Sequence, residues 1–212
     1  MLGDVTSETT AGVLFLHGWE SSQRGYLPRA AAVREDCGAV CLTFDLSGHG
    51  ENAAAPPDSF SPRQHLEETI AAYDALAATD GVDPGRIGVC GASYGGYLAA
   101  LLTGQRPVAS LLVRAPALYP DAAFELPPVR RRTELVATAD AMPLRNLAEF
   151  TGPVLVVESE RDEVIPHEVV AAYVASRPGI RQETIAGAAH ALCEPSWNRA
   201  YLDLILGWAR GL

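Results

Sequence analysis

Six short strand-like runs, all but the last mostly apolar, separated by segments of helical pattern, constrain this chain more than any other feature. They cover residues 11–16, 39–44, 87–91, 108–113, 153–158 and 181–186. Strands this apolar must be covered on both faces, and their alternation with helices predicts a largely parallel sheet between two helical layers. In such a sheet the reactive groups gather at the carboxyl ends of the strands. At 212 residues the chain reads as one domain spanning 1–212.

The helices have legible limits. Residues 26–37 stop at Gly38, and Ser61 caps a helix running to about residue 79, with Pro62 at its first position and Gln64 closing a capping box. Further helices are predicted from residue 97 to 102, over 166–176 and over 195–210, the last with Trp197, Tyr201, Leu204, Ile205 and Trp208 at helical spacing. Residues 45–52 form a turn-rich loop, followed by Pro56 and Pro57. Residues 81–85 form a turn. Residues 116–150 show no clear period and carry five prolines, so they read as a short insertion, a candidate small lid. The basic cluster Arg130, Arg131 and Arg132 within it reads as a solvated face.

Charge and composition exclude several functions. A net charge of −10 repels nucleic acid and anionic membrane surfaces. All 16 basic residues are arginine, which removes lysine Schiff bases and Ser-Lys dyads. No apolar run reaches the ~20 residues that span a bilayer, and Met1-Leu2-Gly3-Asp4 lacks the features of a signal peptide, so a soluble, cytoplasmic protein is expected. Cys37, Cys41, Cys90 and Cys193 show no metal-type spacing. The first three read as buried free thiols, and Cys193 lies close to a histidine of interest.

The stretch Gly91-Ala92-Ser93-Tyr94-Gly95-Gly96 lies between a strand and a helix and matches G-x-S-x-G, a turn so tight that side chains at Gly91 or Gly95 would strike the backbone. Ser93 would project from it above a helix N-terminus. A serine hydroxyl needs a base to take its proton, and an imidazole held by a carboxylate supplies one. His17-Gly18-Trp19 follows the first strand, Ser93 the third, Asp162 the fifth and His190 the sixth.

These segments together resemble an α/β-hydrolase. The G-A-S-Y-G-G-Y elbow is similar to that of the dienelactone-hydrolase-like and prolyl-oligopeptidase-like branches. H-G-W resembles the family's oxyanion loop, D-L-S-G-H-G its D-x-x-G-H-G turn, S-E-R-D-E-V-I-P its acid loop and G-A-A-H-A its histidine loop. The resemblance implies a three-layer fold with a mostly parallel sheet of about six or seven strands, helices on both faces, a trimmed N-terminus and no large cap. It selects Asp162 over Glu158, Glu160 and Glu163, since Val164 and Pro166 follow at the family spacing. It selects His190 among five histidines: His17 and His49 are expected to orient loops, and His65 and His167 to occupy surface or capping positions. The oxyanion would be held by the N–H groups of Tyr94 and Trp19, with Glu20 an alternative to Trp19.

The resemblance implies a serine esterase or thioesterase acting on a small-molecule ester, with no metal or cofactor and no nucleic-acid or membrane partner. A peptidase or amidase of the prolyl-oligopeptidase-like type and a non-catalytic binding protein on the same fold are the alternatives. Dienelactone hydrolysis is less favoured, since that subgroup usually carries cysteine at the nucleophile position. The sequence fixes no oligomeric state.

Overall fold

A computed structural model describes residues 9–126 and 140–212. The Arg130–Arg132 cluster, with residues 127–139 of the expected insertion, and the first eight residues lie outside the described residues. The sheet contains β1 (Thr10–Leu16), β2 (Val40–Thr43), β3 (Val82–Ala92), β4 (Ser110–Arg114), β5 (Val154–Ser159) and β6 (Arg181–Ile185) in the order β2-β1-β3-β4-β5-β6, with every pairing parallel. This is a three-layer α/β-hydrolase architecture.

Alternation of side chains along each strand feeds two cores. On one face, Leu14, Leu16, Val89, Leu111, Val113, Val154 and Val156 pack under α2 (Pro62–Ala77), α3 (Tyr94–Leu102), α4 (Met142–Glu149) and α5 (His167–Ala175). On the other, Val13, Phe15, Cys90, Leu112, Leu155 and Val157 pack under α1 (Leu27–Cys37) and α6 (Pro195–Ala209). Most of these strand residues are fully excluded from water, and each such side chain is worth roughly 1.5–3 kcal/mol of burial. No helix among the described residues is long and apolar enough to cross a membrane.

The capping box at α2 is present: Gln64 N–H donates to Ser61 Oγ, and Ser61 N–H donates to Gln64 Oε1 at 2.8 Å. The segment read as aperiodic contains α4, which Pro143 helps to open and whose Leu144 and Leu147 are buried. The expected turn at 81–85 lies mostly within β3, where the register against β1 breaks between Thr10 and Gly12. Only Cys90 of the three cysteines expected inside is fully buried; Cys37 and Cys41 are half-buried, and Cys193 is exposed.

Register brings the strand ends into line. Leu16 pairs with Gly91, Ala92 with Arg114, Arg114 with Val157 and Ser159 with Ile185. The loops that follow these strands therefore open on one edge of the sheet. The chain reverses its direction of travel between β1 and β3, which places a crevice there.

Candidate active site

Ser93 holds φ 53° and ψ −119°, a conformation rarely adopted by an L-residue, between the end of β3 and the first residue of α3. Local contacts fix it there. Its N–H donates to the Arg114 carbonyl at 2.9 Å, and its carbonyl accepts from Gly96, Tyr97 and Ala117. The flanking glycines leave no room for a side chain: a Cβ on Gly91 would stand 2.3 Å from the Gly95 carbonyl oxygen, and one on Gly95 2.2 Å from that of Leu16.

The loop after β6 brings His190 to the loop after β5. His190 Nδ1 lies 2.8 and 3.0 Å from the two oxygens of Asp162, whose side chain is 1% exposed. Burial alone would raise the Asp162 carboxyl. Hydrogen bonds from His190 and from the N–H groups of Ile165 and Val164 outweigh it and hold the group below the usual carboxylate range. The competing acids are engaged elsewhere: Glu158 meets His167, Gln182 and Thr184, while the exposed Glu160 accepts from Gly187 N–H and the exposed Glu163 from the backbone N–H of His190.

With Nδ1 on Asp162, Nε2 is the ring nitrogen left to face a substrate. His190 and Ser93 line one cavity of about 310 Å³ together with Gly18, Trp19, Arg29, Arg114 and Tyr201. No hydrogen bond joins Ser93 Oγ to His190 in this state; catalytic hydrogen bonds commonly tighten only when substrate is present.

A Cβ on Gly18 would lie 3.3 Å from Ser93 Cβ, so the loop after β1 runs directly against the elbow. Trp19 lines the cavity and Glu20 does not. Tyr94 is the first residue of α3, where the helix dipole favours developing negative charge.

His17 and His49 orient loops as their positions predict. Leu46 N–H donates to His17 Nε2 at 3.1 Å, and Nδ1–H donates to the Gly18 carbonyl at 2.8 Å. Burial is the largest influence on His17 and pushes its pKa down to about 4, so the ring is neutral. His49 Nδ1 lies 3.1 Å from the Ser47 carbonyl, and Trp19 packs edge-on to its ring.

His65 overturns the expectation of a surface position. It is 0% exposed, with Nε2 3.0 Å from the Ser47 carbonyl and Nδ1 2.9 Å from the Tyr94 hydroxyl. The spacing of His65, Leu66, Thr69, Tyr73 and Leu76 along the inner stripe of α2 carried that signal. His167 is exposed and pairs with Glu158 at 2.6 Å. Among the described residues, no group of three or more His, Cys, Asp or Glu side chains is arranged to hold a metal ion.

Comparison with known proteins agrees with this architecture. A Mycobacterium tuberculosis protein, Rv2307c, of uncharacterised activity, is 29% identical over 199 residues, covering 91% of this chain and 67% of its own length. The thiohydrolase AneE of Aspergillus aculeatus is 30% identical over 87 residues, 41% of this chain and 27% of AneE. The structure of the Paleococcus ferrophilus monoacylglycerol lipase superposes with a TM-score of 0.75 at 15% identity, covering 96% of each chain. The model of the alpha/beta hydrolase family matches residues 13–140, which include His17–Trp19 and Ser93 and end before Asp162 and His190. With the match covering more than half of the chain, and the same elbow, strand order and parallel sheet observed directly, this protein belongs to the alpha/beta hydrolase family.

Proposed function

We propose that this protein is a serine hydrolase that cleaves carboxylic esters or thioesters of small molecules. One observation carries the reading: Ser93, on a strained elbow at the N-terminus of α3, shares a cavity with a histidine whose other ring nitrogen is held by a buried carboxylate.

In this mechanism His190 Nε2 takes the Ser93 hydroxyl proton as Oγ attacks the carbonyl carbon. Asp162 keeps the proton of the neutral ring on Nδ1 and stabilises the imidazolium that forms. The backbone N–H groups of Trp19 and Tyr94 receive the tetrahedral oxyanion, and each such donor is typically worth about 3 kcal/mol in the transition state. The C–O or C–S bond then breaks, and the leaving alcohol or thiol takes the proton from His190. Water, deprotonated by the same histidine, hydrolyses the acyl-enzyme and regenerates Ser93.

Membership of the alpha/beta hydrolase family and the similarity to the monoacylglycerol lipase support ester chemistry, and the partial match to a thiohydrolase keeps thioesters within the proposal. The test is labelling with a fluorophosphonate probe, read by peptide mass. Ser93 should carry the adduct, and Ser93→Ala should abolish both labelling and turnover of short p-nitrophenyl esters and acyl thioesters. Folded protein that neither labels nor turns over either substrate would instead be a binding protein on this fold.

A further inference from the structure

Arg29 and Arg114 reach the active-site cavity from elements far apart in sequence, and among the described residues neither meets a carboxylate. Arg114 ends β4 and is 7% exposed. Its Nη1 donates to Ser159 Oγ at 3.0 Å and to the His190 carbonyl at 3.1 Å, both uncharged acceptors, and its Nε is buried without a partner. Arg29, on α1, donates from Nη2 to Asn198 Oδ1 at 2.7 Å and from Nη1 to the Gly25 carbonyl; its Nε is also buried without a partner. The two guanidinium carbons lie 5.2 Å (Arg29) and 5.4 Å (Arg114) from the centre of the Tyr201 ring, and that of Arg29 also lies 5.6 Å from the Tyr26 ring.

Among the described residues, no Asp or Glu lines the cavity to neutralise these charges. Burial pushes the Tyr26 and Tyr201 hydroxyls well above the ordinary tyrosine value, so both remain uncharged. The carboxylates behind His190 are engaged: Asp162 on the ring Nδ1 and Glu163 on the backbone N–H.

Arg63, Arg106, Arg145 and Arg210 pair with carboxylates on the surface. Arg177 also has a buried Nε without a partner, but its guanidinium donates to the Phe150 and Gly152 carbonyls and lies outside the active-site cavity; what sets Arg29 and Arg114 apart is that two such groups converge on one cavity. A chain with 26 acidic and 16 basic residues has carboxylates to spare. Withdrawing the Arg114 guanidinium from water, and that of the half-buried Arg29 in part, without a counter-ion is costly, and cation–π contact offsets only part of that cost.

We propose that the missing counter-ion is the substrate's own: the ester cleaved at Ser93 carries a second, oxyanionic group, carboxylate or phosphate, bound by Arg29 and Arg114 over Tyr201. This deepens the serine-hydrolase reading and rests on it for the position of the scissile bond. Planar guanidinium forks match the spacing of carboxylate and phosphate oxygens. The 310 Å³ cavity lies at the small end of ligand sites, which fits a half-ester of a short diacid better than a long acyl chain.

Two measurements test the proposal. The first is calorimetric titration of the folded protein with succinate and, separately, with inorganic phosphate at constant ionic strength. At least one anion should bind with one-to-one stoichiometry, the stronger of the two identifying the group, and Arg29→Met should weaken it at least tenfold. Absence of binding by both anions overturns the proposal whatever the esterase result.

The second is kcat/KM for monomethyl succinate against its neutral isostere methyl 4-methylpentanoate, followed by acid release. The half-ester should be preferred at least tenfold, and that ratio should fall at least tenfold in Arg29→Met and Arg114→Met. Using the ratio removes any effect of Arg114 on the His190 loop, and the two variants guard against misfolding of either one. A wild-type ratio of one or less overturns the anion site and leaves the hydrolase reading intact. Failure of Ser93 to label overturns the hydrolase reading, and the titration still decides the anion site.

Discussion

The Nδ1 atom of His65 lies 2.9 Å from the hydroxyl of Tyr94, and this buried bond ties α2 to the nucleophile elbow. Because the Ser47 carbonyl can only accept, His65 Nε2 donates to it at 3.0 Å. Trp19 packs edge-on against Tyr94 at 5.3 Å and against His49 at 4.8 Å. The loop after β1, the turn that holds His49 and the elbow are thus joined through one cluster of rings, which holds the Trp19 and Tyr94 backbones in fixed relation.

Tyr94→Phe keeps the ring and removes the bond. Loss of a buried hydrogen bond of this kind costs about 1 kcal/mol, so the urea midpoint should fall by a corresponding amount. If the cluster also aims the Tyr94 N–H at the oxyanion, kcat should fall more than KM rises. A variant matching wild type in both midpoint and kcat would show that the bond contributes to neither.

Asp162→Asn should leave the fold intact, because its remaining oxygen can still accept from Val164 and Ile165, which lie 2.9 and 2.8 Å from Oδ1. The amide favours the wrong histidine tautomer and cannot stabilise the imidazolium. In serine hydrolases of this logic the change costs on the order of 10⁴-fold in kcat. Steady-state kinetics showing less than a tenfold loss would remove Asp162 from the proposed mechanism and turn attention to Glu163.

The parts that were legible in the sequence are those set by local pattern. The Gly91 and Gly95 elbow, the Ser61–Gln64 capping box and the apolar strands each carry their geometry within a few residues. The parts that were missed depend on position across the fold. Helix α4 lay hidden because Pro143, read as a breaker, sits at a helix start, where a missing N–H costs nothing. The half-buried state of Cys37 and Cys41 reflects their place at the end of α1 and on the edge strand β2. Arg114 reads in sequence as the polar end of a strand, and only the pairing of β4 beside β3, with α1 and α6 packed over that face, brings it to one cavity with Arg29.

Two glycine substitutions should act with opposite sign. Gly95→Ala places a methyl 2.2 Å from a backbone oxygen of β1, a clash that neither strand nor elbow can relieve without moving Ser93. Destabilisation of at least ~1–3 kcal/mol and loss of activity are expected. Gly207, on the exposed face of α6, has nothing within 4 Å of its would-be Cβ. Gly207→Ala should therefore stabilise by up to about 1 kcal/mol through helix propensity. Thermal unfolding of both variants beside wild type checks the pair, and equal midpoints would contradict the packing described here.

Stability should fall on mild acidification, and His17 is a principal cause. Burial, the largest influence, lowers its pKa to about 4 in the native state, against an ordinary value of 6.5. Between those values the unfolded chain takes up a proton that the native ring refuses. The stability His17 contributes is therefore present above pH 6.5, drains away as pH falls towards 4 and changes no further below it. The full difference is on the order of 3 kcal/mol. His49, lowered chiefly by burial, adds in the same direction. His167 opposes it: its hydrogen bond to Glu158 raises its pKa, so its contribution is present at acid pH and lost as pH rises, but the pair is exposed and weak. Asp45 and Asp162, both held low, lose their contributions only below the ordinary carboxylate value of 3.8. Urea unfolding at steps from pH 7 to pH 4 should show this decline, and His17→Asn, although less stable at neutral pH, should show a shallower one. Parallel curves for the two proteins would mean that the acid sensitivity of the fold does not come from His17.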